Sequence, residues 1–231
     1  MSKPKLLDLF CGAGGAGMGY AMAGFDVTGV DINPQPRYPF GFVQGDALAY
    51  LMAHWREYDA IHASPPCQAH SAMRTMHNAK AHADFVGITR DLLATYGKPY
   101  VIENVVGAPL LNPVLLCGTM FGLGWEDAEL RRHRLFESSV ILSAPLPCQH
   151  GKRDVVGVYG GHIRNRRRTI GIYGEGVRDS ARKYDKGVPD FGVEAGRVAM
   201  GIDWMTIAEL CQAIPPAYTK HLAQFLLAVL R

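Results

Sequence analysis

Cys67 follows two prolines and precedes a glutamine in the stretch "HASPPCQAHS", residues 62–71. Proline fixes its own φ and donates no backbone hydrogen bond, so this thiol is held on a stiff turn. Three roles are open to it: a metal ligand with His70, a buried inert thiol, or a nucleophile. A metal site through Cys67 and His70 lacks a second ligand pair at usable spacing, and Cys148 with His150 is a poor match for it, so no metal is expected. An inert thiol rarely follows Pro-Pro at a strand end, which favours the nucleophile. Such a cysteine needs a lowered pKa, from a positive setting or from donors, and Arg132 and Arg134 in "RRHR" are candidates to supply it. Glu103, beside Asn104 in "VIENVVG", adds a carboxylate. In a closed site such a group can be protonated near neutrality and share a proton with a ring nitrogen.

A second constellation lies upstream. "DLFCGAGGAG" follows an apolar run and opens a small-residue helix, and its glycines let the backbone turn tightly and approach a ligand. Asp31 ends the next apolar run, where an acid can bind ribose hydroxyls. Asp46 follows Gly45 at the end of a third, within reach of an adenine amine. Each acid alone reads equally as a helix cap or a surface charge. In register at successive strand ends, with a glycine loop that lacks the pyrophosphate fingerprint, they suit S-adenosylmethionine better than a dinucleotide.

The elements that must position these residues alternate. "KLLDLF", "FDVTGVDI", "FVQGD", "YDAIHAS" and "KPYVIENV" read as strands; "AGMGYAMAG", "ALAYLMAHW" and "HADFVGITRDLLATYG" read as helices. That alternation predicts an α/β, doubly wound, mostly parallel sheet. "RRHRLFESSVIL" reads as a later strand toward the sheet edge. Pro145 and Pro147 mark a boundary, after which "GVYGGHIRN" and "GIYGEGVRD" form a near-repeat. A pair of short glycine-kinked strands, each delivering an arginine, is expected there. Helical texture returns in "TIAELCQAIPPAYTKHLAQFLLAVL", whose last part should pack on the main sheet. The expected division is 1–144, 145–194 as a small insert, and 195–231 returning to the first part.

With 231 residues, 48% of them apolar, the chain suits one medium domain with an insert. No apolar run reaches the roughly 20 residues of a membrane span, so no membrane partner is expected. The N-terminus lacks the pattern of a signal peptide. Five scattered cysteines without a C-x-x-C point to a reducing compartment, and cytoplasm is the expected location. Residues 151–186 hold ten Lys/Arg against four acids, a net of +6; the whole chain carries +3, so the remainder carries −3. A local basic, glycine-rich segment points to a polyanion such as nucleic acid.

Together these residues resemble the DNA (cytosine-5) methyltransferase family, in a compact bacterial or phage-type form. "DLFCGAGG" resembles its first motif, "SPPCQ" its nucleophile motif, "ENV" its glutamate motif, "RRHR" its arginine motif, and "CQAIPPAY" its last, in the family's order. The resemblance implies a Rossmann-like class I methyltransferase fold with a small target-recognition insert, acting as a monomer on double-stranded DNA. Cys67 would attack carbon 6 of a cytosine flipped out of the duplex, and Glu103 would hold ring nitrogen 3 and the exocyclic amine. Arg134, with Arg132, would contact the pyrimidine carbonyl or a nearby phosphate and orient Glu103. Asp8, Phe10, Gly12, Gly14, Gly15, Asp31, Ile32, Asp46 and Pro66 would hold S-adenosylmethionine, leaving S-adenosylhomocysteine as product. Gln68, Ser71 and Arg74 belong to a loop expected to close on DNA; Arg164, Arg166, Arg167, Arg168 and Arg178 are candidate phosphate or base contacts. Two alternatives stand beside this one: an RNA cytosine-5 methyltransferase, and a non-catalytic DNA-binding relic of the fold.

Overall fold

The computed structural model describes residues 2–66, 85–159, 162–165 and 191–230. It divides into two compact units, each built from separate stretches of chain. Unit 1 comprises Met1–Leu116, His133–Pro145 and Ala213–Arg231; unit 2 comprises Cys117–Arg132 and Leu146–Gln212. The divisions fall after Leu116, Arg132, Pro145 and Gln212.

Unit 1 is built on a seven-stranded sheet. Its strands are β1 (Lys5–Leu9), β2 (Asp26–Asp31), β3 (Gly41–Gln44), β4 (Ala60–Ala63), β5 (Tyr100–Asn104), β6 (Val114–Leu116) and β9 (Arg134–Ser138). The order is β3-β2-β1-β4-β5-β9-β6. The first five are mutually parallel, as the strand–helix alternation predicts. Their connections are the helices α1 (Gly15–Met22), α2 (Ala47–His54) and α3 (Phe85–Tyr96). β4 and β5 are buried along their whole length, because helices cover both faces of a parallel sheet. Leu7 and Leu9 pack with Leu51, Ile61, Leu93 and Ile102 in one core. The order reverses between β1 and β4, and in open α/β sheets ligands gather at the carboxyl ends of the strands at such a point.

β9 is the "RRHRLFESS" strand, and it runs antiparallel to β5. It lies toward the sheet edge, as expected, with β6 paired on its outer side. β9 is fixed through Glu137, which takes a two-pronged ion pair from Arg90 on α3 (2.6 and 2.7 Å) and the amide of Leu111 (2.7 Å). The last helix, α6 (Pro216–Val229), packs on α1. Thr219 on α6 donates to the carbonyl of Ala16 (2.7 Å), and a Cβ on Gly19 would overlap Thr219.

Unit 2 carries two hairpins, β7–β8 (Gly124–Trp125, Ala128–Glu129) and β10–β11 (Val156–Tyr159, His162–Asn165), with α4 (Gly192–Met200) and α5 (Ile207–Gln212). The near-repeat resolves differently from its expectation. Its first copy alone makes both strands of β10–β11, because Gly160 and Gly161 fall between two β-prone runs, the sequence pattern of a tight hairpin. The second copy lies outside the described residues. α4 buries Ala195, Ala199 and Met200, and a Cβ on Gly196 would run into Ile163. The two stretches of unit 2 are stitched together along their length. Glu129 N–H donates to Asp154 O (2.8 Å), Arg131 donates to Gly151 O (2.7 Å), and Arg132 donates to Val158 O (2.8 Å) and Cys211 O (2.7 Å).

Candidate functional site

The carboxyl ends of β1, β2, β4 and β5 bring the candidate groups to one edge of unit 1. After β1 the chain turns back through Phe10 (φ 57°), Gly12 (φ 48°) and Gly14 (φ 88°), all in the left-handed region. For Phe10, a bulky residue, that backbone is unusual and marks a constrained turn. A side chain at Gly14 would press on Tyr38 and Pro39. Gly15 begins α1 and lies so close to the carbonyl of Ile214 that only hydrogen fits. This ties the glycine loop to the segment that follows "CQA". Asp31, at the end of β2, accepts the amide of Gly12 on Oδ2 (3.0 Å) and that of Asn33 on Oδ1 (2.9 Å). One carboxylate thereby locks the loop to the neighbouring strand end. Ile32 beside it is 64% exposed, an apolar surface next to an acid. Asp46 caps α2 by accepting from Ala49 N–H on Oδ1 (2.8 Å), so the cap reading of that acid is realised at one oxygen.

β4 runs into Ser64, Pro65 and Pro66, and Pro66 is exposed. Asn104, at the end of β5, grips this turn. Its Nδ2 donates to the carbonyl of Pro65 (3.1 Å), and its Oδ1 accepts from Val105 N–H (2.9 Å). Glu103 precedes it, 6% exposed, with Oε1 3.0 Å from Nε of Arg134 on the adjacent β9. Cys67 follows Pro66 directly in the chain, so the thiol lies one residue beyond this anchored turn. It falls outside the described residues, as do Gln68, Ser71, Arg74, Arg166, Arg167, Arg168 and Arg178; Arg164 sits on β11.

Two of the expected site residues, Arg132 and Asp8, are fully buried. Arg132 is fully buried in unit 2, its guanidinium committed to the two backbone carbonyls of Val158 and Cys211 and lying 5.3 Å from the Tyr159 ring centroid. The unit boundary falls between Arg132 and His133, so arginines two apart in "RRHR" belong to different units. Glu103 is ion-paired with Arg134. Asp8 is also fully buried, below the loop rather than on it. Its Oδ2 accepts from the Tyr38 hydroxyl (3.1 Å) and its carboxyl meets the Gly17 amide in the first turn of α1. Burial dominates these bonds and pushes its pKa up to about 8.

Three residues to which the sequence assigns no role support the site. Asn104 is the clearest, since the amide side chain beside Glu103 was its only signal. His62 on β4 is buried between the Tyr20 hydroxyl (3.1 Å at Nδ1) and Ser64 Oγ (3.0 Å at Nε2), and burial pushes its pKa down to about 3. It is a neutral support under the Pro-Pro turn. Tyr38, buried and bonded to Asp8, props the glycine loop from the loop after β2.

No family model matches the chain. One curated protein, the type II methyltransferase M.XorII of Xanthomonas oryzae pv. oryzae, is 33% identical over 128 residues. That match covers 46% of this chain and 29% of M.XorII, so the chain spans under a third of that relative's length. Among solved structures, the Entamoeba histolytica methyltransferase EhMeth superposes with a TM-score of 0.60 at 13% identity, over 100% of both chains. S. pombe Dnmt2 methyltransferase gives 0.56 at 14%, covering 99% of this chain and 100% of that one. A mutant of Spodoptera frugiperda DNMT2 gives 0.56 at 14%, over 97% and 99%. The fold is thus a Rossmann-like methyltransferase fold. Among the described residues, no helix is long and apolar enough to cross a membrane.

Proposed function

We propose that this chain is an S-adenosylmethionine-dependent methyltransferase acting on carbon 5 of cytosine in double-stranded DNA. The observation that carries the reading is the join between β4 and β5. Asn104 fixes the turn that leads into Cys67, and Glu103, next to it, is held by Arg134 on the neighbouring strand. A nucleophile and a ring-binding carboxylate are needed together; Glu103 lies at the end of β5, and Cys67 follows the anchored turn after β4 in sequence, which supports the reading. The resemblance of "SPPCQ" and "ENV" and the match to a type II methyltransferase support the same choice.

The residues at the ends of β1–β3 fit the cofactor. The loop is pinned by Asp31, Ile32 offers an exposed apolar face for a base, and Gly12 has no neighbour within 4 Å of where a Cβ would stand. When bound, S-adenosylmethionine supplies the electrophilic methyl group. Cys67, as thiolate, adds to carbon 6 of the flipped cytosine, which makes carbon 5 nucleophilic. Glu103 holds ring nitrogen 3 and the amine as electron density builds in the ring, with its carboxylate plane fixed by Arg134. A base then takes the carbon 5 proton, the sulfur–carbon 6 bond breaks, and Cys67 is restored.

Unit 2, with the basic segment and Arg164 on β11, is the part assigned to target recognition. Transfer of labelled methyl groups from S-adenosylmethionine to duplex DNA and to RNA tests the substrate. Labelling of DNA cytosine at carbon 5 is expected. Labelling of RNA alone replaces this reading with the RNA enzyme, and cofactor binding without labelling of either leaves the relic.

A further inference from the structure

Cys117, Cys148 and His150 converge within unit 2, far from the chemistry assigned to β4 and β5 in sequence. Their ligand atoms lie within 4.8 Å of one another. His150 Nε2 stands 3.4 Å from the Cys117 sulfur and 3.1 Å from that of Cys148. Cys148 and His150 are a poor match for a site with Cys67 and His70, and Cys117, which joins them here, lies 31 positions before Cys148.

We infer that Cys117, Cys148 and His150 form a zinc site that clasps the two stretches of unit 2 together. Two thiolates and an imidazole are the donor set that zinc takes, and soft sulfur ligands select it over hard cations. A tetrahedral ion with ordinary zinc–sulfur and zinc–nitrogen bonds sets its sulfur and nitrogen ligands about 3.6 Å apart. The two separations here fall within about half an ångström of that. Thr119 donates its hydroxyl to the Cys117 sulfur (3.2 Å), the kind of supporting bond that steadies a thiolate ligand. The remaining tetrahedral position belongs to water or to a further donor.

The placement gives the ion a structural purpose. Cys117 opens the first stretch of unit 2, just before the turn at Gly118–Phe121, and is fully buried. Cys148 and His150 are exposed and lie at the start of the second stretch. Elsewhere the two stretches are joined through Glu129, Arg131 and Arg132. The zinc would close the end that those contacts leave to Gly151 and Asp154. On binding, the two thiols give up two protons to solvent and two sulfur–zinc bonds form; nothing is oxidised.

The test is metal analysis of the full chain, purified without chelator and loaded with zinc, alongside competition with a chromophoric chelator. One zinc per chain is expected. Cys148→Ser and His150→Ala, both at exposed positions and so tolerated by the fold, should each weaken zinc at least tenfold; Cys211→Ala should not. Cobalt substitution should give sulfur-to-cobalt absorption that Cys148→Ser reduces. A loaded chain with far less than one zinc, or undiminished zinc in both variants, overturns the inference. So does a two-hydrogen mass loss that places Cys117 and Cys148 in a disulfide in reducing cells. None of these readouts depends on methyl transfer, so the site stands or falls apart from the proposed function.

Discussion

Asp8 and His62 are two buried titratable groups on neighbouring strands, shifted in opposite senses by the same loss of hydration. Between about pH 4 and 8 the native Asp8 keeps a proton that its unfolded form has lost, so it contributes stability that falls as pH rises through that window. Between about pH 3 and 6.5 native His62 lacks a proton that its unfolded form binds, so its contribution falls as pH drops. The two oppose each other below pH 6.5, and only Asp8 acts between 6.5 and 8. Urea unfolding at these two pH values should show a loss of about 2 kcal/mol at the higher one. Asp8→Asn should remove most of it, and an unchanged pH dependence in Asp8→Asn would rule out the buried-carboxyl reading. At the chemical end of the sheet, Glu103→Gln should lower kcat by about 10²–10³ with cofactor affinity unchanged, in single-turnover kinetics. Arg134→Ala should lower it too, since the carboxylate then loses the partner that fixes its plane. A variant of either with full kcat would remove that residue from the mechanism.

At the scale of elements, β4 and β5 are paired along their backbones, and one side chain, Asn104, ties the end of β5 to the turn that follows β4. Asn104→Ala removes the bond to Pro65 O and frees the turn before Cys67. A drop in kcat of about 10–100-fold is expected, with the melting temperature lowered by a few degrees at most. Equal kcat in Asn104→Ala would show that the prolines alone hold the turn. Gly19→Ala puts a methyl group into Thr219 where α1 meets α6 and should cost about 1–3 kcal/mol in denaturant unfolding. The parallel strands and their helices were legible because their apolar runs are long and regularly punctuated. β6, β7 and β8, at two or three residues each, are too short to show a period. α4 is hard to see in sequence because all of its buried face but Met200 is alanine and glycine, which carry little hydropathy signal. The strand ends that carry the glycine loop, Asp31 and Glu103 are visible in sequence. The burial of Arg132 was not, because it depends on carbonyls 26 and 79 positions away.

For the molecule as a whole, two units woven from alternating stretches of one chain bear separate loads. Unit 1 holds the strand ends assigned to cofactor and reacting base; unit 2 is held by Arg132 and, as inferred, by zinc. Arg132→Ala leaves two carbonyls without their charged donor and should destabilise unit 2 by about 3 kcal/mol, with S-adenosylmethionine binding by unit 1 retained. Lost methyl transfer with unaltered stability would instead return Arg132 to the catalytic set. The central claim is that Cys67 attacks cytosine. The most direct measurement is the covalent adduct with duplex DNA carrying 5-fluorocytosine in the target sequence, in the presence of S-adenosylmethionine. Fluorine at carbon 5 cannot be removed as a proton, so the sulfur–carbon 6 bond should persist. The expected result is a denaturant-resistant complex with the wild-type chain and none with Cys67→Ser. No complex on any fluorinated DNA, from a chain that binds the cofactor, would contradict the claim.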